Sequence, residues 1–271
     1  MTAPQQSATI SFTKASACGN DFLLIKGEHA SGDLAALTRR LCDRHRGVGA
    51  DGVEWLFPDA EADVKAHLIN ADGSEAEISG NGTRCVAAEI CSREGKTEIL
   101  VRTGAGLKTC RLTDQQGSTF EFEADMGKPD VGGQLSIETG GVRAVGTQVS
   151  MGNPHYVIFV ENFQDGWQRQ AALLQTQPQF PQGTNVVYVR VRGANGRGSN
   201  EIEIRIFERG AGETQSSGTG SCASAVAAIA SRQVTSPVTV IAPGGSQTVR
   251  WENQVYLRGP ATLICRGEFF V

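Results

Sequence analysis

One short pattern occurs twice in the chain, and it constrains the fold more than any other feature. Ser79-Gly80-Asn81-Gly82-Thr83 stands ahead of one Ala-bearing stretch, and Ser217-Gly218-Thr219-Gly220-Ser221 stands ahead of another. Each copy follows a glycine and an acid, Gly73-Ser74-Glu75 before the first and Gly212-Glu213-Thr214 before the second. Two glycines spaced by one residue let a backbone approach a ligand closely. Residues 83–92 and 221–232 read as helices rich in Ala and Val. A helix beginning there offers unpaired N–H groups and the positive end of its dipole to a carboxylate or phosphate. A single Ser-Gly-x-Gly is usually a turn followed by a helix cap. Two copies with similar flanks point instead to two halves folded alike, addressing one ligand with Ser79 and Ser217 on either side.

Length favours the same partition, because 271 residues exceed the usual size of one domain. Hydrophobic content of 39% and charged content of 20% describe a globular protein with a sizeable core. The net charge of −4 and the absence of Lys/Arg runs argue against a nucleic-acid partner. The polar start and the lack of a long apolar run argue against a signal peptide or membrane span, so a cytoplasmic location is expected. Seven cysteines without a C-x-x-C pair make a poor disulfide framework and a poor zinc site, and read as free thiols in a reducing compartment. Four histidines show no i, i+4 pairing, and no metal is expected.

Alternation and β-branched content predict strands at 9–14, 22–26, 53–57, 64–69, 98–102, 107–112 and 119–124. They predict further strands at 141–150, 156–160, 186–192, 201–207, 237–241, 248–251 and 261–266. Helices are expected at 33–43, 83–92, 167–175 and 221–232. The turn-rich stretch 127–133 is taken as the boundary. Domains of 1–126 and 127–261 follow, the first completed by a returning strand at 262–271. One Ser-Gly-x-Gly element falls in each half, so a duplicated fold is the economical reading.

The polar clusters lead into these elements. Asn70 through Glu75 precedes the first and Glu208 through Thr214 the second. Arg209 is suited to bidentate pairing with a carboxylate, and Glu208 to accepting hydrogen bonds from an ammonium group.

Gly19-Asn20-Asp21-Phe22, Gly47 through Gly52, Asn70 through Cys85, Met151-Gly152-Asn153-Pro154-His155, Thr184-Asn185-Val186 and Glu208 through Cys222 resemble the successive motifs of the diaminopimelate epimerases. The resemblance covers essentially the whole chain. It implies an α/β fold of α+β type: two pseudo-symmetric domains, each a curved, mostly antiparallel sheet wrapped around a central helix. It also implies interconversion of LL- and meso-diaminopimelate, a lysine and peptidoglycan precursor, without cofactor or metal, one residue per domain moving the α-proton. The small-molecule amino acid would be the partner, with no nucleic acid or membrane involved, and a homodimer is expected.

In the family the two proton-transferring residues are cysteines, and here the matching positions are Ser79 and Ser217. Asn70, Asn185, Glu208 and Arg209 match positions that hold the α-amino and α-carboxylate groups. Gly80-Asn81 and Gly218-Thr219 match the backbone amides at the two helix starts, and Asn20 and Asn153 the grip on the distal end. His155 and Glu208 match the groups that tune the catalytic pair. Gly52 stands where the family often has Gln.

Serine keeps the shape of the site and loses the easily formed anion. A thiol near 8.5 is brought to the thiolate by a helix N-terminus, whereas a hydroxyl is weak without activation. Each unit of pKa mismatch costs about tenfold in the basic form. Three accounts are open: an epimerase impaired or inactivated by replacement of both cysteines, a natural relative running another isomerase, racemase or dehydratase reaction with serine, or a non-catalytic amino-acid-binding protein. A hydrolase is disfavoured, since neither serine lies in a G-x-S-x-G elbow.

Overall fold

The alternation of β-branched and polar residues at 9–17 is realised as a strand in which Thr13, Ala15 and Ala17 are buried on one face and Ile10 on the other. A computed structural model describes residues 9–192 and 200–271. The chain forms two compact units, Met1–Phe122 with Pro260–Val271 and Glu123–Gly259. It leaves the first within one strand and returns to it within another.

The first unit contains β1 (Thr9–Ala17), β2 (Asn20–Lys26), α1 (Leu34–Cys42), β3 (Gly52–Phe57), β4 (Val64–Asn70), β5 (Glu75–Ala76), α2 (Gly80–Glu94), β6 (Glu98–Thr103), β7 (Gly106–Gln116) and the start of β8 (Thr119–Gly127). β1 and β2 form an antiparallel hairpin through Cys18 and Gly19, both with positive φ. That conformation suits the twist of a two-residue hairpin turn. β2 then runs parallel to β3, with Phe22 opposite Gly52, and α1 supplies the crossover a parallel pair requires. β3 and β4 are antiparallel, β4 and β6 parallel, β6 and β7 antiparallel.

The second unit repeats this order with β9 (Asp130–Thr139), β10 (Val142–Ser150), β11 (Pro154–Phe159), α3 (Trp167–Gln175), β12 (Asn185–Val191), β13 (Glu201–Glu208), β14 (Gly212–Thr214), α4 (Gly218–Ala230), β15 (Val238–Ala242), β16 (Gly245–Trp251) and the first residues of β17 (Val255–Phe270). β10 and β11 are antiparallel, β11 and β12 parallel with His155 opposite Asn185, β12 and β13 antiparallel. β13 pairs parallel with β15, and β15 antiparallel with β16. The duplicated, sheet-dominated α+β architecture read from the sequence is the observed one.

Each unit is built around one helix. α2 packs against β1, β2, β4, β6 and β7, and residues 81–91 are buried without interruption. α4 packs against β10, β11, β12, β13, β15 and β16, with 220–228 buried. A helix enclosed on every side needs small or apolar residues all round, which Ala87, Ala88, Ala223, Ala225, Ala227 and Ala228 provide. Val86 and Val226 are fully buried, each worth about 1.5–3 kcal/mol relative to exposure.

Three sequence expectations need correction. Both central helices begin three residues earlier than propensity suggested, because glycine in a first turn was read as loop while the capping serine and burial impose helix. The turn-rich stretch at 127–133 is largely strand: β9 starts at Asp130 and pairs with β10 despite Gly132 and Gly133. β5 and β14 were not foreseen, since strands of two or three residues carry no periodicity. At the end of the chain β17 pairs antiparallel with β1, Phe270 opposite Thr9. Among the described residues no helix is long and apolar enough to cross a membrane.

Candidate active site

In the first unit the candidate residues gather where β4 ends. Asn70 closes a tight turn in which its N–H donates to Ser74 O at 2.8 Å and its Nδ2 to Ser74 Oγ at 3.0 Å. Gly73, at φ 87°, makes that turn possible. The chain returns through β5 to Ser79, extended at φ −120° and ψ 121°, which caps α2. Ser79 Oγ accepts from Gly82 N at 3.0 Å, and Ser79 O accepts from Thr83 N at 2.8 Å. The serine oxygen therefore sits at the positive end of a buried helix, where negative charge is favoured.

Asn20 follows the β1–β2 turn and is joined to the helix start. Its Oδ1 accepts from Asn81 Nδ2 at 2.6 Å, and its Nδ2 donates to Asp51 Oδ2 at 3.3 Å. Asn81 Oδ1 in turn accepts from Nη2 of the buried Arg84 at 2.5 Å. Asn20, Ser79, Gly80 and Asn81 are thus brought together, while Asn70 is held by its own turn.

The second unit repeats the device. Ser217, at φ −143° and ψ 128°, caps α4, accepting from Gly220 N at 3.2 Å through Oγ and from Ser221 N at 2.9 Å through its carbonyl. Thr219 Oγ1 lies 3.5 Å from Ser217 Oγ and accepts from Asn153 Nδ2 at 3.3 Å. This bond matches Asn81 to Asn20 in the first unit. Asn153 Oδ1 is buried without a hydrogen-bond partner among the described residues. A buried acceptor in that state is costly unless a donor is supplied, which suits a ligand N–H.

Glu208, at the end of β13, accepts from Thr214 Oγ1 at 2.7 Å and from the Ser217 hydroxyl. Burial raises its carboxyl above the usual range, and those two hydrogen bonds oppose the rise. His155 is 1% exposed, and burial pulls its imidazole down to about 4, leaving it neutral at pH 7. Its Nδ1 lies 3.0 Å from Asn153 O and its Nε2 3.4 Å from Asn185 Nδ2. Asn185 Oδ1 accepts from Arg209 N at 2.8 Å, and Arg209 Nη1 donates to Gln182 O at 2.7 Å. Glu208 therefore accepts from Ser217, and His155 lies against Asn185, which in turn holds the backbone N–H of Arg209.

One residue of the first unit escaped the sequence reading. Glu54, on β3, is 3% exposed and lies over the start of α2, its Oε1 filling the space a Cβ on Gly82 would need. Burial pushes its carboxyl up to about 8. Its signal is isolation: it is the lone acid in Val53-Glu54-Trp55-Leu56-Phe57. Among the described residues no three His, Cys, Asp or Glu side chains converge as metal ligands.

Comparison with known proteins places this geometry. The family model described as diaminopimelate epimerase matches residues 12–131 and 147–264. The chain is 39% identical over 279 residues to the diaminopimelate epimerase of Pelotomaculum thermopropionicum, covering 95% of this chain and 98% of that one. It is 37% identical over 280 residues to the diaminopimelate epimerase of Moorella thermoacetica, with the same coverage. Among solved structures, a PhzF-family phenazine biosynthesis protein from Bacillus anthracis shares the fold at a TM-score of 0.71 and 13% identity, over 97% of this chain and all of that one. A hydroxyproline epimerase from Agrobacterium vitis does so at 0.68 and 17%, over 96% of this chain and 92% of that one.

Proposed function

Because the chain belongs to the diaminopimelate epimerase family, we propose that it interconverts LL- and meso-diaminopimelate with two residues, Ser79 and Ser217, one removing the α-proton and the other returning a proton to the opposite face. The observation that carries this reading is the repeated helix start: each unit caps its buried helix with a serine whose Oγ already accepts a backbone N–H. A group at that position feels the positive end of the dipole, which lowers the cost of becoming an anion. Proton removal next to a carboxylate places charge on the substrate as the C–H bond breaks, and donors aimed at that charge stabilise it. Arg209 and the amides of Gly80, Asn81, Gly218 and Thr219 are assigned to that task. Asn20, Asn70, Asn153 and Asn185 are assigned to holding the polar groups of the substrate, with His155 keeping Asn185 in position. No cofactor enters this mechanism. The working protein is proposed as a cytoplasmic homodimer, a reading supported by its buried free thiols and by the family.

Hydroxyls make this a slow version of the reaction. The resemblance puts cysteines at 79 and 217, and the gap between a thiol and a hydroxyl is worth several powers of ten in the basic form. A second reading, a natural enzyme using serine for another isomerase, racemase or dehydratase reaction, is favoured by one observation: Ser217 donates to a buried carboxyl, Glu208. Proton NMR in D2O on the chain as given and on Ser79→Cys/Ser217→Cys decides between them. The epimerase reading expects α-proton exchange of diaminopimelate to rise at least about 10³-fold with the cysteines. No exchange from either protein removes diaminopimelate as the substrate.

A further inference from the structure

The second unit pairs its capping serine with a buried carboxyl, Glu208. The first unit holds a buried carboxyl at the corresponding helix start, on a different strand. A Cβ built on Gly82 would lie 2.1 Å from Glu54 Oε1 and 3.2 Å from Ser79 Cβ, so both side chains pack against that glycine, with no hydrogen bond between them. Gly82 N also donates to Ser79 Oγ, which leaves the hydroxyl hydrogen of Ser79 to point elsewhere.

The surroundings of Glu54 are apolar in the sheet. Its neighbours across β3 are Leu24 on β2 and Leu68 on β4. From α2 the titratable group that faces it is Cys85, a buried thiol raised first by burial and further by Glu54. Among the described residues no cation offsets the burial of Glu54, whose raised carboxyl has burial as its cause. A buried acid is costly where it does nothing, and one that gains and loses a proton near neutrality is matched to acid–base work.

We propose that Glu54 is the proton reservoir behind Ser79, a positioning residue that takes the hydroxyl proton when Ser79 Oγ abstracts the α-hydrogen and returns one when Ser79 Oγ delivers it. The inference rests on the functional reading above. In the forward step the substrate Cα–H bond breaks and its proton bonds to Ser79 Oγ. As substrate binding closes the two groups to hydrogen-bond distance, the Oγ–H proton passes to a carboxylate oxygen of Glu54, and the electron pair stays on Cα, spread into the substrate carboxylate. Delivery retraces these transfers from a protonated Glu54. Nothing is oxidised or reduced, and the pair of serines becomes a pair of serine–carboxyl couples.

Two measurements test it. In Ser79→Cys, alkylation by iodoacetamide is followed against pH on the peptide carrying position 79, with and without Glu54→Gln. Coupling predicts that Glu54→Gln moves the half-maximal pH down by about one unit, because a facing carboxylate opposes thiolate formation. Glu54→Asp keeps the higher value. Superimposable profiles for Glu54 and Glu54→Gln overturn the proposal whatever reaction the protein catalyses.

With native serines, Glu54→Gln is expected to lower kcat for α-proton exchange at least about 10²-fold with KM unchanged, and to flatten the pH profile near 8. Ser79→Cys added to Glu54→Gln restores exchange, since a thiol needs no such reservoir. A Glu54→Gln rate within about threefold of the parent overturns the proposal and leaves the functional reading standing. Absence of exchange in the parent and in Ser79→Cys/Ser217→Cys sinks the functional reading, and the alkylation profiles still decide the coupling.

Discussion

At the start of α2 a carboxylate oxygen of Glu54 fills the space beside Gly82, whereas at the start of α4 the matching space beside Gly220 is filled by Cδ1 of Ile206. The backbone device is the same in both units: an extended serine, a glycine two residues into the helix, and an Oγ accepting its N–H. The chemistry under it differs. In the second unit the acid stands at a strand end and is held by Thr214 and Ser217. In the first it stands within a strand, among apolar neighbours. A duplicated topology therefore repeats the serine-capped helix start without repeating the side chain packed against it.

The largest expected effect is on stability against pH, and its sign is opposite in the two units. The folded state raises the Glu54 carboxyl from 4.5 to about 8, so its stabilising contribution is full below about 4.5 and is lost as pH rises through 8. The whole difference is on the order of 5 kcal/mol. His155 is depressed from 6.5 to about 4, so its contribution is full above 6.5 and is lost as pH falls through 4, on the order of 3 kcal/mol. Urea unfolding of Glu54→Gln should show a gain over the parent that grows from pH 5 to pH 8. His155→Gln should flatten the acid side alone. Parallel curves for all three proteins would break the contrast.

Next in size are the serines themselves. Ser79→Ala and Ser217→Ala are each expected to lower inversion at least about 10³-fold, and each to spare wash-out of the α-proton from only one stereoisomer. Equal loss from both stereoisomers in either variant would mean that the two serines do not act on opposite faces. Arg209→Ala is expected to weaken diaminopimelate binding about 10²-fold by calorimetry, since a bidentate carboxylate partner is removed. Unchanged affinity takes Arg209 out of the site.

The smallest effect separates the two glycines. Gly82→Ala displaces a buried carboxylate and should cost about 2 kcal/mol, whereas Gly220→Ala meets the movable end of Ile206 and should cost about 1 kcal/mol. Equal costs would mean that Glu54 yields as easily as an isoleucine methyl.

The repeat was legible in the sequence because Ser-Gly-x-Gly and its glycine–acid flank are local, and so were strands with clean alternation, such as β4, and the continuous Val-rich run of β12. The helix starts were misplaced because Gly80, Gly82, Gly218 and Gly220 lower intrinsic propensity, and only burial overrides it. β9 was hidden by Gly132 and Gly133, which fall at a register shift while the residues on either side of them pair with β10, a tertiary fact. The bond between Asn20 and Asn81 joins residues 61 apart in sequence, and no local pattern reports such a contact. Glu54 was visible as a lone acid in an apolar strand, but its closeness to the helix start follows from the register of β3 against β2 and β4.

The central claim is that each unit contributes one group, one removing the α-proton and the other delivering a different proton to the opposite face. It is tested most directly by running LL-diaminopimelate to a few per cent conversion in D2O and reading deuterium at the α-carbons of product and remaining substrate by mass spectrometry. Two serines acting on opposite faces predict meso product carrying solvent deuterium at the inverted carbon, with recovered LL-substrate still carrying protium. Meso product that keeps the original protium would contradict the account, because one group would then have removed and returned the same proton.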